Sequence, residues 1–318
     1  IHILQAADGI AGNVSTPITR AELLAIGVDA AKLPDPTTSS LAAATISILT
    51  TALDAQPADW STVNTPAAIG LLAGPAANVA NYAAGTLGAT APVTSDLNKL
   101  GVTNILVATG GSTPSTLGLI QNAIAATAPA DLGNLNVAQL QIIANAAAKL
   151  RGLTSDSGTM TATNPDGTTA VNAALTYAEF KALGVFSTPD VATAFNDPAH
   201  VKLLNDAFDA RPNFASVSTL SQINTLNLVD IVNRVITQSN ADITPPLTPV
   251  SVSLAEWNTL GLTTSGTTPD VNAASLNAFM AVIKTKNPAD VDTIAELKKL
   301  GQAALAAQAK IMSFADVQ

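Results

Sequence analysis

The 318-residue chain contains no cysteine. Disulfides, thiolate metal sites and a cysteine nucleophile are therefore excluded, and the absence suits export without oxidative folding. Histidine is almost as scarce. His2 and His200 stand far apart with no partner spacing, so no cluster of His, Cys and carboxylate is expected to hold a metal. His200 falls early on an expected helix and is read as an exposed or half-buried structural residue. Aromatic residues make up only 3% of a chain that is 47% hydrophobic, so its apolar content is mostly Ala, Leu, Val and Ile. Small side chains let helices approach closely, yet each buries little area. At roughly 25 cal/mol per Å² of apolar surface, such a chain needs many helices in series rather than one thick core.

Charge is scarce too, at 12% of residues with a net of −9. High hydrophobicity with few charges excludes a disordered acidic tail. The 14 Lys and Arg form no basic stripe, which argues against nucleic-acid binding. Leu-Lys-Lys-Leu at Leu297–Leu300 is read as a solvated helix face. The longest uncharged stretch, Trp60 to Ser95, is broken by Pro66, Pro75, Pro92 and several asparagines. A spanning helix needs about 20 predominantly apolar residues, so no membrane span is expected. No secretory leader pattern is visible, and the opening at Ile1 without Met is read as a processed product or a fragment.

What is present is repetition. A helix opener reads ITRAELLAIGV at Ile18–Val28, LTYAEFKALGV at Leu175–Val185 and VSLAEWNTLGL at Val252–Leu262. A shorter copy, VTSDLNKLGV, runs from Val93 to Val102. Thr19, Thr176 and Ser253 are placed to cap the helix, and Glu22, Glu179 and Glu256 to complete a capping box three residues on. Leu23, Leu97, Phe180 and Trp257 begin an apolar face that Ile26, Leu100, Leu183 and Leu260 continue. Trp257 and Phe180 fill the leucine slot and are therefore read as core rather than as a sugar-stacking platform. Gly27, Gly101, Gly184 and Gly261 then stop the helix in the left-handed conformation.

A second helix follows each opener, from about Ser40, Ser115, Pro198 and Ala274. Pro57, Pro129, Pro212 and Pro288 are expected to end these second helices. Third helices are expected to begin near Thr65, Asn136, Thr219 and Thr293. The second copy buries Leu140, Ile143, Ala147 and Leu150; the last buries Ile294, Leu297, Ala304 and Ile311. Trp60, just past Pro57, is read as core.

The expected fold is mainly α: a tandem array of four three-helix modules with short extended linkers and a small β-hairpin insert. A lead-in covers 1–17, modules cover 18–86, 87–153, 175–240 and 250–318, and linkers cover 154–174 and 241–249. The insert alternates around Asn164-Pro165-Asp166-Gly167, a tight-turn sequence; a flexible linker is the other reading.

Chemical motifs are weak. Thr109–Thr113 (TGGST) lacks the Gly-Lys-Ser/Thr that a phosphate loop needs and is read as a plain loop. Asp290 and Asp292 are read as helix caps favoured by the helix dipole. Calcium is the one cofactor kept open, at the carboxylates near the turns Ala289–Asp292 and Asn164–Gly167, although its loops carry a longer ligand series.

The phrases ADVDTIAEL, LTYAEFKALGV and AADGIAGNVSTPIT resemble tandem helical modules of very large secreted proteins of Gram-negative bacteria, among them giant repeat adhesins, biofilm proteins and surface-layer proteins. The resemblance covers most of the chain, rests on structural motifs and carries no catalytic residues. It departs in the shortened second opener and in the Asp-Val-Asp-Thr wording, which only the last module keeps. It implies an extracellular, non-enzymatic role: a self-assembling surface-layer, sheath or filament subunit, or an adhesin stalk. Head-to-tail joining through Ile1–Gly12 is expected under this reading. The alternatives are an adhesin module that binds glycan or protein, and a polysaccharide-acting enzyme for which the dispersed carboxylates nominate no pair.

Overall fold

The computed structural model describes residues 18–35, 41–56, 62–107, 115–154, 162–163, 169–170, 174–186, 195–239 and 251–315. Pro57, Trp60, Ile1–Gly12, Thr109–Thr113, Asn164–Gly167 and the linker 241–249 lie outside these described residues. The described chain is mainly helical. It forms α1 (Arg20–Ala25), α2 (Ala42–Asp54), α3 (Pro66–Ala83), α4 (Thr94–Lys99), α5 (Leu117–Ala125), α6 (Val137–Leu153) and α7 (Tyr177–Ala182). It continues with α8 (Pro198–Asp209), α9 (Leu220–Leu226), α10 (Leu228–Gln238), α11 (Leu254–Leu260), α12 (Leu276–Ile283) and α13 (Ile294–Ala315). Two-residue strands, β1 (Ala162–Thr163) and β2 (Thr169–Ala170), pair between α6 and α7.

The chain divides into two compact units. The first comprises 1–148 with 163–169 and 182–184, and the second 149–162, 170–181 and 185–318. In the first unit α2 lies along α3, and α3 also carries α4 and α5. Its core is small and aliphatic: Ala44, Ile48 and Ala52 of α2, Ala73, Ala76 and Ala80 of α3, and Leu119, Ile120 and Ile124 of α5 are all buried. α3 begins where its sequence dictates. Thr65 accepts a hydrogen bond from the Ala68 amide, and Pro66 takes the first helical position, where its missing N–H costs nothing. The helix nonetheless runs through Pro75. An interior proline costs about 3 kcal/mol or more, and the buried Ala73, Ala76 and Val79 on either side offset it.

In the second unit α8 packs on α10 and on α13, α10 on α11, and α12 on α13. All seven phenylalanines of the chain belong to this unit. Phe180 stacks on Phe208 with ring centroids 5.7 Å apart, Phe186 lies 5.0 Å from Phe195, and Trp257 lies 4.9 Å from Phe279.

Several expectations are corrected here. Pro129 and Pro288 do not terminate the second helices, which end several residues before them. α12 ends at Ile283, well before Pro288, and α5 ends at Ala125 before Pro129. Pro129 and Pro288 instead open 3₁₀ turns, Pro129–Asn134 and Pro288–Asp290, because the fixed proline φ suits a first helical position. Pro212 likewise follows the end of α8 and precedes the 3₁₀ turn Phe214–Ser216. The helix expected from Thr219 is split, since Asn227 adopts a left-handed conformation (φ 53°) that asparagine tolerates, and so divides α9 from α10. His200 is buried against Phe195 rather than exposed. Ile26 and Ile311, both assigned to inward faces, are exposed at 38% and 67%.

Candidate functional site

The sequence-predicted residues gather at one recurring feature, the short opener and the groups that hold it. At α1, the Glu22 amide donates to Thr19 Oγ1 (3.2 Å) and the Thr19 amide to Glu22 Oε2 (2.8 Å). Thr176 and Glu179 make the same reciprocal pair at α7 (3.3 and 2.8 Å). Ser253 and Glu256 repeat it at α11 (3.3 and 2.7 Å). The shortened copy, α4, has Val93 at its N-cap and no side-chain cap; Asp96 in its first turn faces the helix dipole instead.

All four openers end alike. Gly27, Gly101, Gly184 and Gly261 have φ of 93°, 91°, 75° and 118°. The amide that follows each reaches back five residues: Val28 to the Leu23 carbonyl (3.0 Å), Val102 to Leu97 (3.0 Å), Val185 to Phe180 (3.1 Å) and Leu262 to Trp257 (3.0 Å). This is the Schellman closure, and the side chains of the residues whose backbones donate and accept are buried. Leu23, Leu97, Phe180 and Trp257 are all fully buried, which places Phe180 and Trp257 in the core.

Sequence reading missed what holds the capping carboxylates. Lys149 Nζ lies 2.6 Å from Glu179 Oε1, and the Arg234 guanidinium binds Glu256 while also donating to the Ser251 carbonyl (3.0 Å). The two cations come from the helices that precede each opener in the chain, α6 and α10. In the first unit the neutral Asn78 of α3 takes a related place, accepting from Thr90 Oγ1 (3.1 Å) just before α4. The Arg234 hydrogen bond, helped by the Ser253 cap, holds the Glu256 carboxyl at about 2. Burial pushes Glu179 upward, but the Lys149 and Thr176 hydrogen bonds outweigh it and leave its carboxyl below the usual range. No motif announces these partners, because a lysine or arginine late in a helix has no sequence tie to a carboxylate 22 or 30 residues away.

The glycines also mark where a neighbouring helix end comes close. A Cβ on Gly101 would sit 3.1 Å from Ala55 Cβ at the end of α2. A Cβ on Gly261 would sit 2.8 Å from Ala210 Cβ at the end of α8 and 3.0 Å from Ile294 Cδ1. At the first of these places Thr51 Oγ1 accepts from the Val137 amide (3.0 Å), the first residue of α6. At the second, Asp206 Oδ2 accepts from the Ile294 amide (3.0 Å), the first residue of α13. Burial pushes the Asp206 carboxyl up. Each contact satisfies a helix N-terminal amide that has no partner within its own helix.

The remaining candidates are engaged locally. Asp290 Oδ2 accepts from the Asn287 amide (3.1 Å), and the buried Asp292 pairs with Lys202 at 2.6 Å. Burial lowers the pKa of His200; Asp197, 4.0 Å away, pulls the other way, as does the Asn233 amide, which stops short of a hydrogen bond of normal geometry. Among the described residues no group of three or more His, Asp or Glu is arranged to hold a metal ion. Among those residues, too, no helix is long and apolar enough to cross a membrane. What the arrangement does chemically is join helices end to end through capping carboxylates, cations and close glycine contacts. Compared with known proteins, the chain matches no family model, no curated protein and no solved structure.

Proposed function

We propose that the chain is a row of four three-helix modules serving as a secreted structural protein of the bacterial cell surface, as a subunit of a surface layer, sheath or filament or as an adhesin stalk. Each module comprises an opener, a second helix and a third helix, and a repeated joint passes the chain from one module to the next. The observation that carries this reading is the joint itself, built twice with different chemistry. In the first unit the end of α2 meets Gly101 and caps α6 through Thr51. In the second the end of α8 meets Gly261 and caps α13 through Asp206. A joint kept in place while its side chains change is what a modular array requires, since each module need contact only its neighbours.

Electron microscopy of the purified protein, with and without calcium, tests the reading. Ordered fibres or sheets are expected. Dispersed particles that capture sugars on a glycan array would move the assignment to the ligand-binding adhesin.

A further inference from the structure

Counted from their N-caps, two third helices, α3 and α6, bury the same positions near their C-terminal ends. In α3, with Thr65 as N-cap, these are Val79, Ala80 and Ala83. In α6, with Asn136 accepting from the Gln139 amide (2.9 Å), they are Leu150, Arg151 and Thr154. In α10, beyond the break at Asn227, the buried Val235, Ile236 and Ser239 keep the same spacing from one another but lie two positions further from Thr219. α3 and α10 each pack there against the opener that follows, α4 and α11. α13 starts from Thr293, which accepts from the Glu296 amide (3.2 Å). Its corresponding residues are Ala307, Gln308 and Ile311. Ala307 is exposed and Gln308 half-buried. Ile311 is 67% exposed, and Met312 beside it 57%.

The first opener shows the reverse vacancy. Leu100, Leu183 and Leu260 are fully buried, whereas Ile26 at the same position is 38% exposed. Gly101 and Gly261 close on Ala55 and Ala210 of an earlier second helix; Gly27 meets only Pro66, at 3.9 Å.

We propose that these two surfaces are the halves of one interface: the outer end of α13 receives α1 of a second copy of this chain, with Ile26 seated against Ile311 and Met312. The proposal rests on the modular reading above and extends the joint seen inside each unit to a joint between copies. Lys284 is the C-cap of α12, where Ala55 and Ala210 cap α2 and α8. Seated there it would place a cation near the C-terminal end of the incoming α1, which the helix dipole favours. The contact is head to tail, so unless its rotation closes a ring it extends into a filament.

Sedimentation velocity of the full chain from about 1 to 100 µM tests this, a span that reads association free energies near −8 kcal/mol and weaker. Mass is expected to grow with concentration. Ile26→Asp and Ile311→Asp each lie on exposed positions and should leave helicity and melting unchanged while weakening association at least about tenfold. Mixing the two variants is decisive: one keeps a working tail and the other a working head, so together they should form dimers and nothing longer. A wild-type chain that stays monomeric overturns the proposal. Wild-type assembly that both variants preserve also overturns it, as does a mixture without dimers. In either of those cases assembly through another surface, such as a further module of a longer polypeptide or the lead-in segment, leaves the modular reading standing.

Discussion

Gly261 and Gly27 share a conformation but not a neighbourhood. Each has a positive φ that an alanine adopts only under strain, at a cost of about 1 kcal/mol. At Gly27 a methyl group would meet Pro66 at an ordinary 3.9 Å. At Gly261 it would overlap Ala210 and Ile294, and such overpacking adds about 1–3 kcal/mol. Gly261→Ala is therefore expected to lower the urea midpoint well beyond Gly27→Ala. Equal losses would mean that the glycines serve only the local turn. The turn itself was legible in the sequence, because a Leu-Gly-Val ending after a capping box specifies a Schellman closure from local chemistry. The closeness of Ala210 was not legible, since 51 residues separate it from the glycine and no local rule connects them. Gly301 makes the same point: it looks like an ordinary small residue within a helix, yet a Cβ there would run into the Asp270 carbonyl.

At the scale of elements, the junction between α10 and α11 depends on ionisation. Glu256 caps α11 and binds Arg234 of α10 at once. Its carboxyl titrates near 2 in the folded protein, against an ordinary 4.5. Below the ordinary value the unfolded chain takes up the proton first, so the stability this group contributes is complete above about pH 4.5 and fades as pH falls towards 2. Glu256→Gln removes the charge and should flatten the acid limb of a stability–pH profile measured by urea unfolding between pH 5 and 2. An unchanged limb would show that the pair adds nothing. α10 also shows why boundaries escaped the sequence. A continuous apolar periodicity runs from Leu220 onward, but Asn227 takes a left-handed turn, which asparagine tolerates and periodicity does not display, and α10 beyond it packs on α8.

The two units of the whole molecule are built from different core materials. The first is aliphatic and alanine-rich, while the second holds every phenylalanine, several in mutual contact. Phe180→Ala would empty a site between Phe186 and Phe208, and such truncations cost about 3–5 kcal/mol. Hydrogen exchange followed peptide by peptide should then show lost protection in α7, α8 and α10, with α2 and α3 keeping theirs. Equal loss throughout would refute a cooperative unit bounded as described.

The sequence by itself determined where the openers begin and end. Capping boxes, first-position prolines and left-handed glycines act over three to five residues, a range that an amino-acid string displays openly. It also marked the apolar faces, through spacings of three and four. Tertiary structure alone decided which of those faces found cover. Ile26 and Leu260 occupy one position of one motif, yet Leu260 is fully buried and Ile26 is 38% exposed. Periodicity records that a face is apolar; burial depends on what the rest of the chain brings to it.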